Sequence, residues 1–172
     1  EPAVEYLKKV SGKEYFQPYL PIEWDVPFPP PVNPRFKFID LFAGIGGFHG
    51  ALSALGGECV YASEIDKDAA RIYSRNWGLQ PDGDITLAAN EDNMDVPEHD
   101  VLVGGFPCQP FSKSGKQMGM DETRGTLFWN IAKTIEAHKP AVVLLENVPN
   151  LAGPRHKDDW KVIIKTLRDL GY

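Results

Sequence analysis

Phe36-Lys-Phe-Ile-Asp-Leu-Phe42 is an apolar run of strand length, and Ala43-Gly-Ile-Gly-Gly47 follows it with no spacer. Phe48, Ala51, Leu52 and Leu55 then recur at helical spacing, closed by Gly56-Gly57. Strand, glycine turn and helix therefore follow one another directly, and this unit restricts the chain to a small set of folds. The alternation continues. Cys59-Val-Tyr-Ala62 reads as the next strand and ends in Ser63-Glu64-Ile65-Asp66; Lys67 to Trp77 reads as a helix with Ala69, Ala70, Ile72, Tyr73 and Trp77 apolar. Pro81-Asp-Gly-Asp84-Ile85-Thr86 carries turn chemistry and leads into a short third strand. Val101 to Gly105 is a further strand, Leu127, Phe128, Ile131, Ala132 and Ile135 form a helical stripe, and Ala141 to Leu145 reads as a buried strand. Trp160, Ile163, Ile164 and Leu167 share a face of a last helix, with Asp158 and Asp159 as capping candidates. Strands and helices alternating at this spacing predict an α/β fold with a doubly wound, mostly parallel sheet, whose ligands sit at the carboxyl ends of the strands.

Residues 1–35 are different. Seven prolines lie between Pro18 and Pro34, including Pro29-Pro30-Pro31, so this stretch is extended chain and neither a helix nor a central strand. Tyr15, Phe16, Tyr19, Trp24 and Phe28 argue against pure disorder. The stretch reads as an arm packed on a domain formed by residues 36–172; the other reading is a proline-rich ligand for a partner domain.

Two cysteines make no disulfide framework, no apolar run reaches membrane-spanning length, and the acidic start lacks a secretory pattern. The expectation is a soluble, cytoplasmic protein without membrane contact. A net charge of −6 is unlike that of a self-sufficient nucleic-acid binder. Any DNA partner therefore has to be met by local positive charge or by another part of the assembly.

The strand ends carry the chemistry. In Val101-Leu-Val-Gly-Gly-Phe-Pro-Cys108-Gln-Pro-Phe-Ser112 the glycines permit close approach of another group, and Pro107 keeps Phe106 extended and ends the ladder. Cys108 is thereby delivered at the mouth of a polar, glycine-rich loop, which favours a nucleophile over the buried apolar role that most free cysteines play. Gly44, Gly46, Gly47 and Gly50 miss the dinucleotide spacing by one residue, so the turn signals either a cofactor or merely tight helix packing. Glu64 stands where a carboxylate accepts both ribose hydroxyls, or else caps the following helix. Asp84 accepts from an adenine amino group, or shapes its own turn. Glu146, directly after Ala-Val-Val-Leu-Leu, is expected at the lip of a buried strand, where an ion is costly unless paired.

Taken in order, Asp40-Leu-Phe-Ala-Gly-Ile-Gly-Gly-Phe48, Glu64-Ile-Asp66, Gly83-Asp-Ile-Thr86, Gly105-Phe-Pro-Cys-Gln-Pro-Phe-Ser112, Arg124-Gly-Thr-Leu-Phe128 and Glu146-Asn-Val148 resemble the motifs of DNA (cytosine-5)-methyltransferases of the bacterial modification type. The resemblance spans about Phe36 to Tyr172. It implies the Rossmann-like fold of S-adenosylmethionine-dependent methyltransferases, with S-adenosylmethionine as methyl donor, S-adenosylhomocysteine as product and no metal. It implies that Phe42 stacks on the adenine, Ile45 and Gly47 line the methionine part, Glu64 and Ile65 hold the ribose end, Asp84 and Ile85 bracket the adenine, and Pro107 and Leu127 complete the pocket. Cys108 and Glu146 become the catalytic pair acting on a flipped-out cytosine of double-stranded DNA, within a restriction-modification system. The loop carrying Gln109, Ser112, Lys113, Ser114, Lys116 and Arg124 is then expected to meet the DNA. The family pattern continues with a further strand, a Gln-x-Arg-x-Arg segment, a target-recognition domain and a closing segment, none of which follows Tyr172. The resemblance therefore implies a C-terminally incomplete catalytic part, completed by the rest of a longer enzyme or by a second polypeptide. The alternative is a module that binds S-adenosylmethionine without turnover. A nicotinamide-dependent oxidoreductase shares the glycine turn and Glu64, but its glycine spacing and the Cys108–Glu146 pair do not fit.

Overall fold

The structure, a computed structural model, describes residues 26–107, 123 and 126–172. Four strands make one parallel sheet in the order β2-β1-β3-β4, with β1 Phe36–Leu41, β2 Gly57–Ser63, β3 Val101–Gly105 and β4 Val142–Glu146. The helices are α1 Gly47–Ala54, α2 Lys67–Trp77, the short α3 Ile85–Ala88, α4 Leu127–His138 and α5 Lys157–Asp169, with 3-10 turns at Pro149–Ala152 and Pro154–His156. The chain builds β1 and β2 side by side, then crosses back to lay β3 on the other flank of β1. This reversal opens a crevice at the carboxyl ends of β1 and β3, where ligands of such sheets bind.

Side-chain alternation along β1 divides the core in two. Ile39 and Leu41 face a large cluster with Leu102, Phe106, Ile85, Phe128, Ile131, Ile135 and Ile163, so α3, α4 and α5 cover that face. Phe38 faces His49 of α1 on the other, where Tyr73 of α2 packs with Ala43 and Ala62. Each fully buried Leu, Ile or Phe contributes about 1.5–3 kcal/mol to this core.

The helix ends follow local chemistry. The Asp66 carboxylate accepts from the Asp68 and Ala69 amides at the start of α2, and Gly78 ends it with φ 70°. Thr126 caps α4 by accepting from Trp129 N at 3.3 Å.

Four expectations are corrected. Pro81–Thr86 does not lead into a strand: Asp84 caps Thr86 N and starts α3, and only an isolated bridge joins Ser63 to Asp82. Asp158 and Asp159 lie inside the first turn of α5 and do not cap it; His156 holds the N-cap position and pairs with Asp159 at 2.9 Å. The buried face of α5 is Val162, Ile163 and Thr166, while Trp160 is half exposed. Finally, among the described residues β4 is an edge strand, with Val142 and Leu144 about half exposed, and Glu146 at its end is itself exposed. Among the described residues no helix is long and apolar enough to cross a membrane.

Candidate active site

The sheet brings four strand ends to one edge, and β1 supplies the first wall. Its last residues lead into Phe42, a non-glycine residue at φ 57°, followed by Gly44 at φ 55° and Gly46 at φ 95°. A left-handed Phe stores roughly 1 kcal/mol or more of backbone strain, and such strain persists only where surrounding contacts hold it. Those contacts are visible: Ala43 N donates to Ser63 O at 2.9 Å, and Gly44 N donates to the Glu64 carboxylate at 2.7 Å. Gly104 also makes room for the turn, because a Cβ there would meet Leu41 O at 3.3 Å and the Phe42 ring at 3.7 Å.

Glu64 is the hinge pin between β1 and β2. Oε2 accepts from Gly44 N and Oε1 from Asp66 N at 2.8 Å, so both oxygens are fixed in direction and each retains a lone pair. The carboxylate is half buried, and the helix-cap role belongs instead to its neighbour Asp66. Glu64, Ile65, Pro81 and Gly83 line a cavity of about 860 Å³, with Val26 and Gly78 on its far wall. Ile65 and Ile45 expose most of their surface, and nothing lies within 4 Å of the Gly47 Cβ position. Asp84 caps α3, Ile85 is 2% exposed and belongs to the core, and Leu127 packs partly buried against the same cluster. The cavity thus gathers Glu64 and Ile65 of the residues singled out from sequence, whereas Phe42, Ile45, Gly47, Asp84, Ile85, Pro107 and Leu127 are not among its lining residues.

At the other side of β1, Gly105 of β3 pairs in register with Glu146 of β4. A Cβ at Gly105 would stand 3.2 Å from Glu146 Oε2, so the carboxylate lies across the glycine. Phe106 and the exposed Pro107 continue from that point. Asn147, which sequence reasoning left out of the site, donates from Nδ2 to Phe106 O at 2.6 Å and accepts from Val148 N at 2.9 Å. It pins the end of β4 to the end of β3 immediately before Pro107. In the sequence it stands within the Glu146-Asn-Val148 motif, which does not show the backbone it holds. Cys108, Gln109, Ser112, Lys113, Ser114, Lys116 and Arg124 lie outside the described residues.

Behind the glycine turn sits a buried polar group that sequence reasoning did not find. Asp40 is 0% exposed and neither oxygen has a well-formed hydrogen bond; burial raises its carboxyl to about 7, with a smaller opposing effect from the His49 backbone and a reinforcing one from Glu64. Burial likewise lowers His49 to about 4, and its Nδ1 pairs with the Tyr73 hydroxyl at 2.6 Å. Cys59, 3.4 Å from the same hydroxyl, is pushed up to about 12 by burial, which keeps it an inert thiol at neutral pH.

Comparison with known proteins gives the family. The family described as C-5 cytosine-specific DNA methylase matches residues 36–172. The Type II methyltransferase M.AluI of Cellulosimicrobium cellulans is 60% identical over 144 residues, covering 81% of this chain and 28% of the relative. The Type II methyltransferase M.HhaI of Haemophilus parahaemolyticus is 49% identical over 136 residues, covering 79% and 41%. The chain thus spans less than half the length of these relatives. The crystal structure of the S. pombe Dnmt2 methyltransferase shares the fold, with a TM-score of 0.54 at 23% identity over 76% of this chain and 39% of that one. With a parallel sheet carrying the glycine turn, Glu64 and Glu146 at one edge and a family match running from β1 to Tyr172, the chain belongs to the C-5 cytosine-specific DNA methylases.

Proposed function

We propose that residues 36–172 hold S-adenosylmethionine at the glycine turn and activate a flipped-out cytosine of double-stranded DNA for methylation at C5. The observation that carries this reading is the parallel pairing of β3 with β4. It lays the Glu146 carboxylate over Gly105, three residues before Cys108 in sequence, on the same sheet edge as Glu64.

The residues fit the cofactor. Glu64 presents two oriented oxygens with free lone pairs to a ribose diol, Ile45 and Ile65 offer apolar surface, and Gly47 leaves open space where a side chain would intrude. Phe42, Asp84 and Ile85 would hold the adenine, and Pro107 and Leu127 would complete the pocket. When bound, S-adenosylmethionine supplies an electrophilic methyl group.

The protein then has to make a poor nucleophile react. The Cys108 thiolate adds to C6 of the cytosine, which turns C5 into the carbon of an enamine. Glu146 hydrogen-bonds the exocyclic amino edge and shares its proton with N3, so negative charge does not accumulate on the ring. Once the methyl group has passed to C5, with S-adenosylhomocysteine as leaving group, a base takes the C5 proton and the thiolate is expelled, which restores the aromatic ring and the free cysteine. Asn147 serves by holding the Phe106 carbonyl, and so the direction from which Cys108 approaches. A stacked base exposes neither face of C6, which requires the cytosine to leave the duplex. The polar loop after Cys108, with Lys113, Lys116 and Arg124, meets the phosphates, and sequence recognition resides in polypeptide outside these residues.

Transfer of label from S-adenosylmethionine to mixed-sequence duplex DNA, with Cys108→Ala as control, tests the reading. Label that vanishes in the variant while cofactor affinity is unchanged is the expected result. A Cys108→Ala protein that still methylates would end the nucleophile assignment. Cofactor binding without label would support the second reading, a module that binds S-adenosylmethionine without turnover.

A further inference from the structure

Residues 26–28 of the proline-rich arm pack on the end of α2, whose last residue reaches the glycine turn. Trp77, the last residue of α2, lays its indole over the glycines: Nε1–H donates to the Ile45 carbonyl at 3.1 Å, a Cβ at Gly46 would collide with Nε1, and one at Gly50 would meet Cη2 at 3.0 Å. His49 stacks on the same indole at 4.4 Å with an interplanar angle of 17°. Ile45 and Gly46 of the turn, and His49 and Gly50 in the first turn of α1, therefore pack around one tryptophan. Trp77 is in turn held from outside the domain. The Phe28 ring lies 4.9 Å from it, Phe28 N donates to Asn76 O at 3.2 Å, and Val26 packs against Gly78, where a Cβ would meet Cγ2 at 3.0 Å. Val26 also lines the cavity that Glu64, Ile65 and Gly83 share.

We propose that Trp77, clamped by Phe28, is a positioning residue for S-adenosylmethionine, and that residues 26–28 of the arm thereby belong to the cofactor site. The proposal rests on reading the glycine turn as that site. The effect is one of preorganisation: Ile45 is exposed and Gly46 lies buried under the indole, so the indole N–H and ring hold the far half of the turn, beyond the Ser63 and Glu64 hydrogen bonds that fix its start, before a ligand arrives. Phe28 is 54% exposed, so its stack adds little to global stability, and an effect of Phe28 on cofactor binding has to travel through Trp77.

The experiment measures S-adenosylmethionine affinity by calorimetry on the full 172-residue chain, its Trp77→Phe, Phe28→Ala and Phe28→Tyr variants, and thermal unfolding of each. Trp77→Phe keeps an aromatic ring and deletes one hydrogen bond, so the dissociation constant rises about five-fold. Phe28→Ala weakens binding about three-fold, the effect expected of a lost aromatic stack, with little change in melting temperature; Phe28→Tyr, which keeps the ring, recovers most of it. In ¹⁵N-labelled protein the indole cross-peak that Trp77→Phe removes moves on cofactor addition and is already displaced in Phe28→Ala. Wild-type binding matched by both Trp77→Phe and Phe28→Ala, or an indole signal indifferent to cofactor, overturns the clamp alone. A wild-type chain that binds no S-adenosylmethionine overturns the reading of the glycine turn and the clamp with it.

Discussion

Gly105 and Glu146 face each other across β3 and β4, with Glu146 Oε2 3.2 Å from the point a Cβ on Gly105 would occupy. The glycine is there because the carboxylate lies over the strand. In Gly105→Ala the exposed Glu146 side chain, free to swing, gives way first. Misplacement of a reacting group by a fraction of an ångström to one ångström lowers methyl transfer by about ten- to a hundred-fold. Cofactor affinity is unaffected, because the displaced group is remote from Glu64. Rate and dissociation constant measured on the same protein check the split; a loss confined to cofactor binding contradicts it.

Glu64 holds the two halves of the glycine turn with a pair of charge-assisted hydrogen bonds, from Gly44 N at 2.7 Å and Asp66 N at 2.8 Å. In Glu64→Gln one oxygen becomes an NH₂ group, which opposes a backbone N–H instead of accepting from it. The turn opens and a ribose hydroxyl loses its acceptor. Cofactor affinity falls about ten-fold or more, the equivalent of ~1.4 kcal/mol. Calorimetric titration reads this directly, and an unchanged constant removes Glu64 from the ribose site.

Local signals explain which parts of this were legible in the sequence. The helix from Lys67 to Trp77 could be read because Asp66, the apolar spacing and Gly78 agree on its ends. Pro81–Thr86 was misread because an Asp-Gly-Asp turn suits either a strand or a helix start, and the Asp84–Thr86 hydrogen bond decides for the helix. The exposure of β4 was not legible, since an apolar run does not state how many neighbours its strand has. Trp77 read as one more core residue of its helix. Its contact with Ile45 and the link from Asn147 to Phe106 join residues far apart in sequence, which only the fold brings together. Asp40 lay in view inside a strand, but an alternating pattern does not reveal that a carboxyl is sealed from water.

Asp40 and His49 make opposing contributions to stability against pH. Asp40 rises from 3.8 unfolded to about 7 folded, so the native state holds an extra proton between those values and stability falls as pH climbs from about 4 to 7. His49 falls from 6.5 to about 4, so the unfolded state holds the extra proton and stability falls as pH drops from 6.5 to 4. Each slope is about 1.4 kcal/mol per pH unit, and between pH 4 and 6.5 the two cancel. Cys59 and Tyr73, the other titrating groups packed there, are both raised and stay neutral through this window. In Asp40→Asn stability therefore climbs with pH from 4 to 6.5, and in His49→Gln it declines from 4 to 7. Urea midpoints taken across that range measure both slopes, and two variants with the same slope refute the pairing.

Asp84 has one role visible in the structure and one proposed, and two substitutions separate them. Its Oδ1 accepts from Thr86 N at 2.9 Å and starts the four-residue α3, which carries Ile85 and Ala88 into the core. Asp84→Ala leaves that amide without its acceptor, at a cost of about 1 kcal/mol, or roughly 2–4 °C of melting temperature for a domain this size. Asp84→Ser keeps a capping oxygen on a shorter side chain and restores most of that loss. An adenine amino group beyond the turn needs the reach of the full carboxylate, so Asp84→Ser still binds S-adenosylmethionine several-fold more weakly, consistent with loss of one hydrogen bond to a charged acceptor. Recovery of melting temperature and cofactor affinity together in Asp84→Ser would instead make capping the whole of its contribution, with the adenine edge held by other groups.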